Sequence, residues 1–196
     1  MSPTQPALQP ESRAAARLAF VRVWCGDARF TLESASEDAS ARSYWRLRTA
    51  QGSAIVMDAP PDSGSLDAWL DVDARLRAAG LNVPEVLAED RAQGFLLLSD
   101  LGARPYLSEL DDGSADALYA DAMDALLVMQ TRVDPHGLPR FDEPFVVREL
   151  ELMPTWFLQK HLGVSIECDE WDVIEVAFRL LVENAQRQPQ TFMHRN

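Results

Sequence analysis

The sequence predicts an α+β fold: a small amino-terminal lobe with a mostly antiparallel sheet, followed by a helical lobe. Two observations carry this prediction. Helical and strand patterns alternate through the first hundred residues, and from Ser108 onward the patterns are helical only. The change falls near Gly102, and 196 residues are enough for two small lobes with a buried core.

Composition narrows the choice of partners. Hydrophobic residues make up 47% and charged residues 25% of the chain, as in an ordinary folded protein. The net charge of −13 argues against nucleic-acid binding and against anionic membranes, because phosphate groups would be repelled. Cys25 and Cys168 are far apart and lack metal-ligand spacing, so we expect free thiols and a cytoplasmic protein.

The first elements are a leader and a helix. Residues 1–11 contain three prolines and no apolar core, so we expect a flexible leader that is neither a signal peptide nor a membrane span. A helical pattern runs from Glu11 to Trp24 and ends near Gly26. We expect its buried stripe to comprise Ala15, Leu18, Ala19 and Val23.

Two hairpins and a second helix complete the amino-terminal lobe. Strands at Ser43 to Arg48 and Ala54 to Asp58 flank the turn signal TAQG, and Asp58 either joins a polar network or caps its strand. Ser65 is expected to cap a helix that ends at Gly80. VPEVLAED and GFLLLSDLG predict two further strands, and the second reads as fully buried.

Three helical patterns follow. Ser114 is expected to cap the first of them and Asp169 the last. Pro154 interrupts the middle pattern, so it either kinks that helix or begins a new one. We expect the last helix to bury a stripe of four side chains, Trp171, Ile174, Phe178 and Leu181.

Six segments, in this order, closely resemble the aminoglycoside phosphotransferase superfamily: SARSYWRL, AIVMDAPP, AAGLNVPEVLAED, GFLLLSDLG, RELELMPTWFLQKHLG and TFMHR. Within it the chain looks most like the bacterial cell-wall-recycling kinases that phosphorylate the anomeric hydroxyl of N-acetylmuramate or N-acetylglucosamine. The resemblance covers nearly all of residues 12–195. It implies a protein-kinase-like fold with a leader at 1–11, an amino-terminal lobe at 12–101 and an incomplete carboxy-terminal lobe at 102–196.

The resemblance implies that the GFLLLSDLG strand ends in a nucleotide hinge. Backbone groups of Ser99, Asp100 and Leu101 would then hydrogen-bond an adenine edge. The pattern by itself also fits a core strand followed by a turn that Asp100 begins. The position of this segment between the two expected lobes favours the hinge.

The polar loop in SASEDASARSYWRL is placed by the resemblance over the nucleotide phosphates. It contains no glycine, unlike the G-x-G-x-x-G loop of protein kinases. Ser40, Arg42 and Ser43 can still offer hydroxyl, backbone and guanidinium donors to a phosphate. A solvated hairpin loop is an equal alternative.

The strand in AIVMDAPP departs from the protein-kinase pattern, which has a phosphate-binding lysine there. Met57 stands on this strand, and Lys160 is the only lysine of the chain. Arg46, on the neighbouring strand, is the candidate replacement, and it would bind phosphate through a planar fork rather than as a point charge.

The helical segment RELELMPTWFLQKHLG lies beside the acceptor pocket, according to the resemblance. Glu151 would accept hydrogen bonds from sugar hydroxyls, and Trp156 would pack against the face of a sugar ring. An amphipathic helix with a buried Trp156 is at least as good an interpretation of either residue alone.

The segment TFMHRN resembles the beginning of a kinase catalytic loop, with His194 and Arg195 as scaffold residues. Asn196 occupies the position of the family aspartate that orients or deprotonates the acceptor hydroxyl. An amide cannot accept a proton as a carboxylate does. A complete family member would use ATP and Mg²⁺, whereas we expect this chain to be truncated, inactive and without the metal site.

Two other functions are compatible with the sequence: a nucleotide-binding pseudokinase that regulates a partner, and an acidic helical interaction module. The expected small-molecule partners are an amino sugar and ATP. Apolar helix faces left uncovered in an incomplete lobe predict self-association.

Overall fold

A five-stranded antiparallel sheet dominates the structure, a computed structural model that describes residues 10–35, 42–60 and 66–194. The strands are β1 (Phe30–Ser34), β2 (Ser43–Thr49), β3 (Gly52–Asp58), β4 (Val86–Asp90) and β5 (Phe95–Ser99). They lie in the order β1-β2-β3-β5-β4. The predicted α+β class is confirmed, and so are both predicted hairpins.

The strand β1 was not predicted. It pairs with β2 from Phe30 opposite Thr49 to Ser34 opposite Trp45. Phe30 and Leu32 pack against the core, and this short alternation is the only sequence signal that β1 offers. The residues that would join β1 to the predicted hairpin, 36–41, lie outside the described residues.

Helix α1 (Pro10–Cys25) covers one face of the sheet, where Val21 packs among Leu47, Val56 and Leu97. The predicted buried stripe is wrong, because Leu18 is 41% exposed and Val23 is 87% exposed. The buried face carries two arginines instead.

Those arginines, Arg13 and Arg17, form a buried ion cluster with Asp58 at the end of β3. Arg13 Nε lies 2.7 Å and Arg17 Nη1 lies 2.8 Å from the Asp58 carboxylate oxygens. The guanidinium groups also stack over the rings of Phe95, at 4.1 Å, and Trp45, at 3.7 Å. Asp58 therefore belongs to a polar network whose partners come from α1. The expectation that such a network lies near the nucleotide stays a prediction.

Helix α2 (Leu66–Ala78) covers the opposite face, where Leu66, Trp69 and Leu70 pack against a cluster that includes Met57 and Leu96. It ends as predicted at Gly80, whose φ of +87° is the left-handed conformation that favours glycine. The predicted cap Ser65 lies outside the described residues. Both faces of the sheet thus carry a helix, which explains why β5 is an uninterrupted apolar run.

The helices that follow are α3 (Tyr106–Glu109), α4 (Ala115–Arg132), α5 (Glu143–Leu150), a π-helix (Met153–His161) and α6 (Cys168–Arg187). Ser114 occupies the position before α4, as predicted, but its side chain makes no capping bond. Its hydroxyl donates to the carbonyl of Glu109 instead, at 2.6 Å.

The interruption predicted at Pro154 begins a new helix, because Pro154 stands in the first turn of the π-helix, where a missing N–H costs little. The predicted cap Asp169 is wrong. Helix α6 begins two residues earlier than that cap implies, and Glu167 caps it: its carboxylate accepts a backbone N–H, while Glu170 accepts the N–H of Glu167 at 2.8 Å.

The chain forms two compact units, Met1–Val133 and Asp134–Asn196. The lobe boundary expected between residues 101 and 102 stays a prediction. Across the part of the chain that the structure describes, no helix is both long enough and apolar enough to cross a membrane.

Candidate functional site

Arg46 and Asp100 form the central ion pair of the candidate nucleotide site. Arg46 Nε donates to Asp100 Oδ2 at 2.8 Å, and Nη2 donates to Oδ1 at 3.2 Å. The same Nη2 donates to the carbonyl of Gly102 at 3.0 Å, and the N–H of Gly102 donates to Asp100 Oδ1 at 2.9 Å. We call Arg46, Asp100 and Gly102 the hinge latch.

The hinge latch lies on the sheet face that α2 covers. Arg46 on β2 lies opposite Ile55 on β3, and Ile55 lies opposite Leu98 on β5. The Arg46 side chain therefore crosses β3 to reach Asp100, which follows β5. The side chains of Arg46 and Asp100 are only 13% and 7% exposed. A two-point pair shielded in this way fixes both groups in one geometry.

The environment keeps Asp100 ionised. The hydrogen bond from Arg46 is the largest cause, and with the N–H of Gly102 and the hydroxyl of Ser53 it outweighs burial and lowers the pKa of Asp100 to about 2. The same pairing raises the pKa of Arg46. Both members of the pair are therefore charged at neutral pH.

The predicted hinge residues divide into fixed and open groups. Ser99 is bound on both sides to Glu85: its N–H donates to the Glu85 carbonyl and its hydroxyl accepts from the Glu85 N–H, each at 2.8 Å. Leu101 is 57% exposed. Among the described residues, its backbone N–H and C=O have no hydrogen-bond partner. Within residues 10–35, 42–60 and 66–194, Leu101 thus presents one unpaired backbone donor and one unpaired acceptor, between Asp100 and Gly102, which both make hydrogen bonds.

The polar loop is described only in part. Ser40 lies outside the described residues. Arg42 is half-buried, and Ser43 begins β2 as an exposed residue whose hydroxyl accepts from Trp45 Nε1 at 3.0 Å. These contacts do not test whether Arg42 or Ser43 binds phosphate, so that role stays a prediction.

Met57 is fully buried in the core beneath α2. It therefore offers no polar group at the position where protein kinases have their lysine. The structure does bring the proposed replacement, Arg46, to the same face of the sheet, but it pairs the guanidinium with a carboxylate.

The predicted acceptor residues belong to the second unit. Glu151 is exposed and follows α5 directly, and the N–H of Thr155 donates to its carbonyl at 3.2 Å. Trp156 is 57% exposed on the π-helix, so the interpretation as a buried tryptophan is wrong. The ammonium group of Lys160 lies 3.6 Å from the centre of its ring, and covers one face of the indole.

The catalytic-loop prediction cannot be placed, because Arg195 and Asn196 lie outside the described residues. Over residues 10–35, 42–60 and 66–194, no group of three or more His, Cys, Asp or Glu side chains could hold a metal ion. We derive no step through the Mg²⁺ that a kinase implies.

Sequence reasoning did not find two features of this region: the pairing of Arg46 with Asp100 and the ion cluster around Asp58. Both join residues more than 40 positions apart, which local patterns do not register. One signal was available for the second, because Arg13 and Arg17 are four positions apart and so share one face of α1.

Comparison with known proteins agrees with the resemblance. Residues 31–196 match the phosphotransferase enzyme family. The chain is 45% identical to the N-acetylmuramate/N-acetylglucosamine kinase of Pseudomonas aeruginosa over 163 residues, which are 83% of this chain and 48% of that kinase. It is 37% identical to the kinase of the same name from Pseudomonas putida, over 85% of this chain and 49% of that protein.

A third relative with this name, from Neisseria meningitidis serogroup B, is 33% identical over 85% of this chain and 51% of its own length. The chain thus spans about half the length of the curated relatives it matches. The family match covers most of the chain, and the α+β fold with its antiparallel sheet agrees with it. The chain belongs to the phosphotransferase enzyme family.

Proposed function

We propose that this chain is part of an ATP-dependent kinase that phosphorylates the anomeric hydroxyl of N-acetylmuramate or N-acetylglucosamine during the recycling of peptidoglycan in the cytoplasm. The single observation that supports this most strongly is the 45% identity to a kinase named for both sugars. Because the chain spans about half of that relative, the activity of the whole protein is part of the proposal.

The proposal assigns the first unit to the nucleotide. Leu101, with its free donor and acceptor, would bind the adenine edge, flanked by Ser99 and Asp100. Ser40, Arg42 and Ser43 are the proposed residues on the phosphate side, where Arg46 pairs with Asp100. Glu151 and Trp156, which is 57% exposed, are proposed for the sugar.

We further propose that residues 1–196 alone bind nucleotide without turning over sugar. The resemblance places Asn196 where the family has an aspartate, and the described residues provide no metal-binding group. Complete members would need Mg²⁺ on the nucleotide phosphates.

Two measurements on the 196-residue chain test the proposal. Calorimetric titration with a non-hydrolysable ATP analogue should detect binding, and ³¹P NMR with ATP, Mg²⁺ and each sugar should detect no sugar 1-phosphate. The Pseudomonas aeruginosa kinase serves as the positive control for product. Turnover by the chain would contradict the inactive form, and absence of both nucleotide binding and a thermal shift would favour the acidic interaction module.

A further inference from the structure

We propose that the hinge latch is a positioning device: Arg46 and Asp100 hold the backbone around Leu101 in the conformation that binds the nucleotide base, and Arg46 does not act as a phosphate ligand. This inference rests on the proposed nucleotide-binding function. It changes the role of Arg46 from the one that the sequence suggested.

The first argument concerns charge. Arg46 donates to both carboxylate oxygens of Asp100 at 2.8 and 3.2 Å, so the pair carries no net charge. A phosphate would have to approach a guanidinium that a carboxylate already neutralises, and the negative carboxylate would repel it. An arginine that binds phosphate would need its guanidinium N–H groups free of a carboxylate partner.

The second argument concerns the backbone. Gly102 is bound through both of its polar groups: its carbonyl accepts from Arg46 and its N–H donates to Asp100. Its φ of +102° lies in the region that favours glycine. Ser99 is fixed to Glu85 on the other side. The backbone is therefore fixed on both sides of Leu101, and among the described residues its N–H and C=O have no partner and can meet a ligand.

The third argument concerns the strands to which Asp100 connects the hinge segment. Asp100 follows β5, and it receives hydrogen bonds from Arg46 on β2 and from Ser53 on β3. One carboxylate thus ties the hinge segment to two neighbouring strands. Removing it would release the segment without opening the core, because the buried apolar clusters of the sheet include none of these residues.

The experiment compares adenosine with a non-hydrolysable ATP analogue by calorimetric titration of the full 196-residue chain. A positioning role acts on the base, so Asp100→Asn and Arg46→Gln should weaken both ligands by the same factor, at least about tenfold. The ratio of the two dissociation constants should stay at its wild-type value. A phosphate-ligand role predicts a loss for the ATP analogue alone.

Arg46→Lys sharpens the distinction. Lysine keeps the positive charge but cannot form the two-point fork, so both ligands should again weaken equally. Recovery of wild-type affinity for the ATP analogue in this variant would overturn the inference. The matched control is Arg48→Gln on the same strand, which removes an exposed pair with Glu33 (2.7 Å) and should leave both affinities unchanged.

The outcomes separate the inference from the function on which it rests. If the wild-type chain binds the ATP analogue but the three variants bind adenosine normally, the latch does not position the hinge and the inference alone fails. If the wild-type chain binds neither ligand, the proposed function fails and takes the inference with it. Circular dichroism establishes folding for each variant, and a variant that does not fold is replaced by the next in the set.

Discussion

Two aspartates of the amino-terminal unit pair with arginines, yet their surroundings give them different roles. Asp58 is buried beneath α1, and its two arginines stack on aromatic rings, so the cluster attaches a helix to the sheet. Asp100 lies at the end of β5, and its arginine also holds a backbone carbonyl of the hinge. The first arrangement attaches α1 to the sheet, and the second is the one proposed to position the segment around Leu101.

The pKa of Asp100 predicts a specific acid sensitivity. Its folded value of about 2 lies below the ordinary 3.8, so its ionised form stabilises the folded state above about pH 5. That contribution declines as the pH falls from about 4 to about 2. We expect Asp100→Asn to lower the free energy of unfolding at pH 7 by about 1–3 kcal/mol.

Urea denaturation at several pH values measures this effect. The difference between wild type and Asp100→Asn should shrink as the pH is lowered from 5 towards 3. Glu33→Gln, which removes the exposed partner of Arg48, is the control and should have a much smaller effect at every pH. A difference for Asp100→Asn that stays constant down to pH 3 would contradict the proposed cause.

At this scale the sequence located the residues that follow β5, but it did not predict their contacts. Ser99, Asp100 and Leu101 were identified from the end of an apolar strand and from a family resemblance. The partner of Asp100 is 54 positions away, and only the pairing of β2 with β3 and of β3 with β5 brings Arg46 close to it. Side-chain pairing across a sheet depends on register, which a single sequence does not specify.

At the scale of elements, the turn between β4 and β5 requires a glycine at position 94 for a steric as well as a conformational reason. Gly94 has a φ of +75°, and a Cβ added there would clash with the carbonyl oxygen of Ala59. The N–H of Ala59 also donates to the carbonyl of Gly94 at 2.9 Å. This close approach joins the end of β3 to the second hairpin.

We predict that Gly94→Ala destabilises the fold by about 2–4 kcal/mol, because backbone must move to admit the methyl group. The matched control is Gly80→Ala, which has a similar φ of +87° but no atom within 4 Å of the added Cβ. That substitution should cost only about 1 kcal/mol, from conformation alone. Urea midpoints at pH 7 measure both, and equal losses would show that the contact with Ala59 has no effect.

Elements with a strong hydrophobic period were predictable from the sequence, and elements fixed by few residues were not. The apolar run of β5 reflects burial of both faces of the sheet, by α1 and by α2. The apolar side chains of α2 pack on one of these faces. Strand β1 has five residues and two inward side chains, so its pattern is too short to distinguish from a loop. The buried face of α1 was misassigned because its arginines are neutralised by Asp58, a contact that the helix itself does not encode.

For the whole molecule, net charge and exposed apolar surface have opposite effects on self-association. Helix α6 buries Val182 but leaves Val173 and Leu180 exposed. Beside it, Leu150, Met153 and Phe178 line an open apolar groove of about 360 Å³. The net charge of −13 opposes association of copies, and salt screens that repulsion.

We therefore predict weak self-association that increases with salt. Sedimentation velocity should show the mean sedimentation coefficient rising with protein concentration, and rising further at 1 M than at 0.1 M NaCl, where the screening length falls from about 10 to about 3 Å. Leu180→Gln should reduce the effect. Leu107→Gln, at an exposed position on α3, is the control. A monomer at every concentration and salt would contradict the prediction.

The ion cluster around Asp58 also sets an order of events during synthesis. The arginines of α1 leave the ribosome first, and the carboxylate that pairs with Arg13 follows 45 residues later. At about 5–20 residues per second, that interval is roughly 2–9 s. Through this interval α1 has neither its ionic partner nor the sheet on which it packs. Helix α1 is therefore made before the sheet on which it packs, and it can dock fully only once β3 and β5 have been synthesised.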